Sequence, residues 1–488
     1  MMILFLLSWP LLASLLLFAF KPKQAWVVAF VASLIELVAS LVLVFQFDKS
    51  AAVEYAINVP WIASLGVNFA IGFDGISLLL VLLTTVLVPF IILSSTKHSY
   101  SSAFYGLVLM MQMALIGVFT AMDGFLFYLF WEIALIPIYF ICLIWGGEDR
   151  GRITLKFFIY TLAGSLLMLV ALIYLYFQTP GSHSFEIQAL YEAGRALPLA
   201  EQGFIFWGLF IAFAIKMPVF PFHTWQPDTY SVAPSQGTML LSGIMLKMGL
   251  YGVIRWLVPV VPAGVHEWGM TAVVLSVIGI IYGSCIAIVQ KDFKRLIAYS
   301  SIAHVGLISA GIFTLNKIGV QGALIQMLSH GILVFGLFYG IDIIETRVKT
   351  RTLSALGGIR HVAPVFSAVF TVVMLGTLAL PFTSGFVGEF LLINSIFQYN
   401  AILGAVGGLT IILGAVYMLR SFQQAMLGET NSTTESFVDL SGREKLVLFP
   451  IVVIIIVMGI YPDPLLSISE SAVTNLLSIV QEFSASAK

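Results

Sequence analysis

Charge is what this chain has least of. Only 10% of its 488 residues are Asp, Glu, Lys or Arg, and the formal net charge is −1, far from the quarter-charged balance of soluble domains. The basic surface that phosphate recognition needs is missing, which excludes nucleic acid as a partner. Cysteine is scarce too. Cys142 and Cys285 lie far apart in apolar runs, so neither a disulfide framework nor a Cys-x-x-Cys metal or cluster motif can be built, and the chain holds no iron–sulfur site of its own. The opening run "MMILFLLSWPLLASLLLFAFKPK" lacks the basic leader of a cleaved signal, because Lys21 and Lys23 follow its apolar stretch. It reads as a retained first helix with its N-terminus outside.

What is present is apolar. Sixty per cent of the residues are hydrophobic and the mean hydropathy is +1.04, which makes this a polytopic membrane protein. A spanning helix needs about 20 apolar residues, and about fourteen such windows run between residues 2 and 462. Charge tests that count, since Lys and Arg collect in every second loop when the spans are counted correctly. Of 23 Lys and Arg, sixteen fall in the loops that this alternation assigns to the cytoplasm: Lys21 and Lys23, Lys97, the Arg150–Lys156 loop, the Lys291–Arg295 loop, Arg347 to Arg360, and Arg420 to Lys445. Lys49, Arg195, Lys317 and Lys488 fall on the other side. Both termini are therefore expected outside. The longer connections, 47–74, 178–202 and 427–444, read as loops, and the tail after Pro464 reads as an amphipathic surface helix lying on lipid or on a partner.

Three basic residues fall inside spans. Arg255 is near a helix end, where it can snorkel to the headgroups. Lys216 and Lys247 cannot. Lys216 lies twelve residues into the span 204–226, about 18 Å at 1.5 Å per residue, near the middle of a hydrocarbon core about 30 Å thick. Glu132 and Lys247 are central in 124–145 and 233–258, and Glu389 is deep in 363–399, which is too long for one straight helix. Each such charge costs about 2.5–3.5 kcal/mol or more at the bilayer centre. Ion pairs that merely lock helices are a poor use of that cost, because hydrophobic replacements of buried pairs are often neutral or stabilising. A proton path is the sharper reading. His223, His304 and His330 lie in the half of the chain that also holds the lysines, and imidazole, with an ordinary pKa near about 6.5, accepts and releases protons near neutrality. Two histidines on facing helices could instead ligate a haem.

Prolines mark where the helices break. In "AIKMPVFPFHTW", Pro218 and Pro221 have no N–H, so the carbonyls of Ala214 and Met217 are expected to lose their helical partners; His223 is a candidate to satisfy the freed backbone. In "LPFTSGFVGEF", Pro381, Gly385 and Gly388 lead into Glu389. The breaks fall in the seventh and twelfth spans, five apart. Two interrupted helices at corresponding places point to an internally repeated transporter. The expected fold is all-α, with two inverted five-helix repeats: spans 1–3 in residues 1–100, the first repeat (spans 4–8) in 101–260, the second (spans 9–13) in 261–428, and span 14 with the surface helix in 429–488.

The stretches "FWEIALIPIYF", "GGEDRGRITLKFFIYT", "KMPVFPFHTWQPDTYSVAP", "LLSGIMLKMGLYGVIRW", "DFKRLIAYSSIAHVG" and "GFVGEF" together resemble the proton-translocating antiporter-like chains of respiratory complex I, over nearly the whole length. The resemblance implies a membrane-arm subunit of an NADH-quinone oxidoreductase that moves protons while redox chemistry, with FMN, iron–sulfur clusters and quinone, takes place in other subunits. It implies no cofactor in this chain, neighbouring antiporter-like chains and membrane lipids as partners, and a relay in which Glu132 pairs with Lys216 and protons pass by Lys247, His304 and His330 to Glu389, with His223 a lesser member. One departure is Tyr230 in "PDTYSVAP", where many relatives have histidine; a phenol with an ordinary pKa of about 10 exchanges protons poorly at neutrality. The large subunit of a multi-subunit Na+/H+ antiporter resembles the same family and shares Glu132 and Lys216. A membrane scaffold without transport would have no use for the mid-membrane charges.

Overall fold

The computed structural model describes residues 2–49 and 53–486. Two outer helices, α1 (Met2–Phe20) and α2 (Ala25–Gln46), precede an antiparallel hairpin, β1 (Glu54–Ile62) and β2 (Val67–Phe73). The bundle continues with α3 (Gly75–Ser94), α4 (Ser102–Thr120), α5 (Gly124–Trp145) and α6 (Arg150–Gln178), the short α7 (Ile187–Ala196), then α8 (Leu199–Lys216) and α9 (Gln226–Val232). One span, Ser235–Leu257, holds α10 (Ser235–Leu240) and α11 (Lys247–Gly252), each followed by a π-helical turn. After it come α12 (Pro262–Val289), α13 (Phe293–Ile312), α14 (Lys317–Val348), α15 (Ile359–Val362), α16 (Pro364–Thr377), α17 (Ser384–Tyr399), α18 (Ala401–Met426), α19 (Gly442–Ile460) and α20 (Asp463–Ser486).

Among the described residues twelve helices are long and apolar enough to cross a membrane, and thirteen crossings result if α19 and α20, bent by 64°, count as one. Their ends are closed by side chains where water is scarce. Asp74 accepts from the Ile76 and Ser77 amides, Asp123 from Phe125 and Leu126, Asp292 from Arg295, and Asn316 from Gly319, each cap supplying about 1 kcal/mol. Burial then sorts the helices. The most apolar stretches of the Ser235–Leu257 span and of α14 are wholly inside, whereas those of α2 and α18 are 33% buried and face outward. The most enclosed elements are thus the ones that carry Lys247 and His330.

Three features differ from the sequence reading. Residues 47–74 are not an open loop: the β1–β2 hairpin occupies most of them, and β2 runs directly into α3. Arg255 does not snorkel. Its side chain is 14% exposed and forms an ion pair with Asp74, because the π-helical turn Val253–Leu257 turns it into the bundle toward the N-terminus of α3. The tail helix α20 packs on its own chain, with Ile468, Val473, Leu477 and Val480 buried and Glu470 held by Lys317 at 2.5 Å. Gly75 is needed for that docking, since a Cβ there would stand 1.9 Å from the Ile468 carbonyl oxygen. Lys488, counted on the outer side in the charge pattern, lies outside the described residues.

An Asp74→Asn variant keeps an acceptor for the α3 cap but leaves the Arg255 guanidinium without its counter-charge, a loss of about 3–5 kcal/mol for a buried pair. Its expected signature is a lower unfolding temperature of the purified protein, recovered when Arg255→Met is added to Asp74→Asn, a pair that keeps the α3 cap. Unfolding of the single variant at the wild-type temperature would contradict the assignment.

Candidate functional site

The first break sits at the end of α8. Ala214 does not lose its partner: its carbonyl accepts from the Val219 amide at 2.9 Å, a reach of five residues instead of four. The carbonyl that this displaces, that of Ile215, accepts from the indole Nε1–H of Trp225 at 2.9 Å. The broken turn is therefore closed by protein groups, and His223 takes no part. Its ring stacks on Phe220 at 5.7 Å and meets Tyr282 edge-on at 5.0 Å, and its Nδ1 is buried without a hydrogen-bond partner.

Lys216, the last residue of α8, is 2% exposed. Its ammonium lies over the Trp131 ring, 5.4 Å from the centroid, within electrostatic reach of Glu132. The two do not touch: no ion pair within 4.0 Å joins them, and one Glu132 oxygen is buried without a partner. The pairing implied by the family resemblance is thus present as a near neighbour and open as a contact. Close packing fixes the lysine's backbone, since a Cβ on Gly249 of α11 would stand 2.7 Å from the Phe213 carbonyl oxygen and 2.8 Å from the Met217 nitrogen.

Lys247 is held differently. In the π-helical turn Leu241–Met245 the Leu246 amide reaches back five residues to Leu241 at 3.1 Å, and the Ser242 carbonyl accepts from the Lys247 ammonium at 2.8 Å. The ammonium also lies 3.0 Å from Nδ1 of His330 on α14. His330 continues the row, with Nε2 3.1 Å from the Ser301 hydroxyl of α13 and its ring 6.0 Å from that of His304. His304 Nδ1 then stands 3.0 Å from Glu389 Oε1 on α17, off the line that a hydrogen bond requires, so the contact is one of charge and proximity. Gln326 of α14 donates to the same oxygen at 3.5 Å. Glu389 is 2% exposed, five residues after the start of α17. Ala379 and Phe382, both in the left-handed region (φ 54° and 71°), turn the chain between α16 and α17. Lys247, His330, His304 and Glu389 thus form one row through the protein, whereas no direct hydrogen bond links Lys216 to Lys247. Both His330 nitrogens are engaged, whereas neither His304 nitrogen has a hydrogen-bond partner.

Several buried polar groups were not legible as candidates. Glu36 of α2 is fully buried, and neither of its oxygens has a hydrogen-bond partner; Ser40, one turn on, bonds Thr85 at 2.7 Å. A lone acid in the middle of the apolar window 25–46 was the available signal. Gln112, Gln226 and the Tyr230 hydroxyl are likewise buried without partners. The phenol at position 230 is buried beside the Gln226 side chain and makes no hydrogen bond to the row.

At the end of the bundle that gathers the basic residues, a polar cavity of about 720 Å³ is lined by His98, Lys294, Asp342, Glu345, Lys349 and Arg351 among others. His98 Nε2 lies 3.1 Å from Asp342, and Tyr100, stacked on His98, donates to Gln236 Oε1 at 3.0 Å. The hydrogen bond to Asp342 raises the pKa of His98 above the ordinary imidazole value, with Glu345 adding to it and burial and Lys349 opposing it. A raised folded pKa stabilises the fold fully below about pH 6.5, the unfolded value, and loses that contribution as the pH climbs through the folded one. The stability difference between wild type and Asp342→Asn is therefore expected to be larger at pH 6 than at pH 9, read from unfolding midpoints. A difference that stays constant or grows with pH would contradict it.

Residues 121–414 match the family described as NADH:quinone oxidoreductase/Mrp antiporter, TM. The chain is 40% identical over 461 residues to NADH-quinone oxidoreductase subunit M of Rickettsia conorii, covering 94% of this chain and 93% of that one. Its fold superposes on a chain of respiratory complex I from Thermus thermophilus with a TM-score of 0.90 at 29% identity, covering 98% of this chain and 100% of the other. The fold is shared as well with a chain of the Mrp complex from Dietzia sp. DQ12-45-1b, at a TM-score of 0.85 and 22% identity, covering 99% and 98%.

Proposed function

The chain belongs to the NADH:quinone oxidoreductase/Mrp antiporter family, and on that footing we propose that it is the proton-translocating membrane-arm subunit M of an NADH-quinone oxidoreductase. The observation that carries this reading is the row Lys247–His330–His304–Glu389, in which four titratable side chains from four segments stand in sequence inside an apolar bundle. Such intramembrane groups mark ion and proton paths. Lys216 and Glu132 load the row. Two unit charges about 4 Å apart at an effective dielectric constant of about 20 interact by about 4 kcal/mol, so a change in the Glu132–Lys216 distance changes how firmly Lys216 keeps its proton. The open contact between them is one setting of that switch. When Glu132 approaches, Lys216 holds its proton; when it withdraws, the proton moves toward Lys247 and on to Glu389. Water completes the gap between the two lysines, and the His98–Asp342 cavity supplies protons from the basic-rich side.

In this reading α16 and α17 cross the membrane together as one broken span, bringing the crossings to fourteen. The spans from α4 to α11 and from α12 to α18 form two inverted repeats, in residues 101–260 and 261–428, behind three leading helices in 1–100 and before α19 and α20 in 429–488. Both termini face the periplasm of a bacterial inner membrane. The partners are neighbouring antiporter-like chains and lipid, and FMN, iron–sulfur clusters and quinone reside in other subunits. The shared fold with the Mrp chain supports a second reading, the large subunit of an Na+/H+ antiporter. The higher identity to subunit M over almost the full length favours the first, and the subunits that copurify with the chain separate the two.

Lys216→Ala in the reconstituted holoenzyme is expected to abolish the proton flux carried by this subunit, read as protons moved per NADH oxidised; an unchanged ratio would contradict the loading role. Lys247→Arg tests release. A guanidinium stays charged at any working pH, so this variant is expected to stop transfer along the row, whereas wild-type pumping would show that a fixed positive charge suffices there.

A further inference from the structure

We infer that the cavity between the α1–α2 turn and the α3–α4 loop binds the phosphate headgroup of an anionic membrane phospholipid. This cavity, of about 660 Å³, is lined by Lys21, Lys23, Trp26, Phe18, Ser102 and Tyr105 among others; it shares His98 and Tyr100 with the neighbouring cavity and includes no member of the Lys247–Glu389 row. No carboxylate is among its lining residues, which sets it apart from the mixed-charge cavity beside it. Both lysines are exposed, and Lys21 adopts a left-handed conformation (φ 44°) that places the basic turn directly after α1.

The walls suit a lipid more than a free anion. Phe18 and Trp26 give an apolar flank, and Trp at the end of a spanning helix sits at headgroup level. Arg443 stacks over the same indole at 5.5 Å and adds positive charge to the rim. The same two helices expose Leu12, Leu16, Phe20, Val28 and Val31 on their outer faces, an apolar surface for acyl chains on the elements that carry the basic turn. Basic pockets between helices on the positively charged side of a membrane protein bind anionic headgroups in this manner. Lysine serves as a point charge for the phosphate, and hydroxyls such as that of Ser102, which donates to the Leu17 carbonyl at 2.6 Å, keep lone pairs and position the rim.

The test uses the intact holoenzyme in bilayers and reads the motionally restricted fraction of spin-labelled phosphatidylglycerol and of spin-labelled phosphatidylcholine. Wild type is expected to restrict more phosphatidylglycerol than phosphatidylcholine, with about one anionic lipid per complex lost in the Lys21→Gln/Lys23→Gln double variant. Ala103→Trp, which fills the cavity and leaves both lysines in place, is expected to lose the same lipid, and NADH oxidation by each variant reports that the complex is assembled. Unchanged phosphatidylglycerol restriction in both variants overturns the inference. So does equal loss of phosphatidylcholine, or displacement of the label by inorganic phosphate, which would make the cavity a site for free anions.

Discussion

A charge in the middle of a bilayer needs partners that lipid cannot give, and this constraint organises the chain. Each buried lysine or glutamate carries a penalty of about 2.5–3.5 kcal/mol or more, and Lys216, Lys247 and Glu389 meet it at or near backbone taken out of regular α-helix, whereas Glu132 lies within the continuous α5. Lys247 sits after a π-helical turn and donates to the Ser242 carbonyl as well as to His330. Lys216 ends a helix whose next turn is closed by Val219 and Trp225. Glu389 begins where α16 gives way to α17. Irregular backbone is tolerated at membrane depth only where protein or water surrounds it, so the breaks and the charges occur together for one reason.

The two ends of the row differ in a way that suits transport. From Lys247 to Glu389 the groups stand close, with Lys247 and His330 on the two most enclosed helices, so their geometry is fixed by packing. Glu132 and Lys216 are near but separate, with one carboxylate oxygen unpartnered and the ammonium resting on an aromatic face. A fixed wire joined to an adjustable contact is what a gated proton path requires. Arg255 is the contrast: its ion pair with Asp74 is closed, it touches no member of the row, and it ties the hairpin end of α3 to the central span.

The sequence revealed those parts that leave a trace in composition. Glu132, Lys216, Lys247 and Glu389 stand out because charge is rare, and the breaks stand out because proline and glycine punctuate helices. The helical windows followed from hydropathy alone. What it hid depends on partners distant in sequence. Nothing local in "LLSGIMLKMGLYGVIRW" announces two π-helical turns, and without the second of them Arg255 looks like a snorkelling residue. The partners at the Pro218 break could not be assigned, because Val219 takes the Ala214 carbonyl and Trp225 reaches that of Ile215 from a segment whose path is set by tertiary packing. The β1–β2 hairpin lay in a stretch judged only by its low hydropathy. Glu36 leaves only the trace of a single acid in an apolar window, and its complete burial is set by packing that the sequence does not display.

The central claim is that a proton can travel from Glu132 and Lys216 to Glu389, and no hydrogen bond spans the interval between the two lysines. The most direct test is a density map of the holoenzyme at a resolution that shows ordered water. Water bridging the Lys216 ammonium to the Lys247 end of the row is the expected result. An interval filled by packed apolar side chains, with no water in any state of the enzyme, would contradict it.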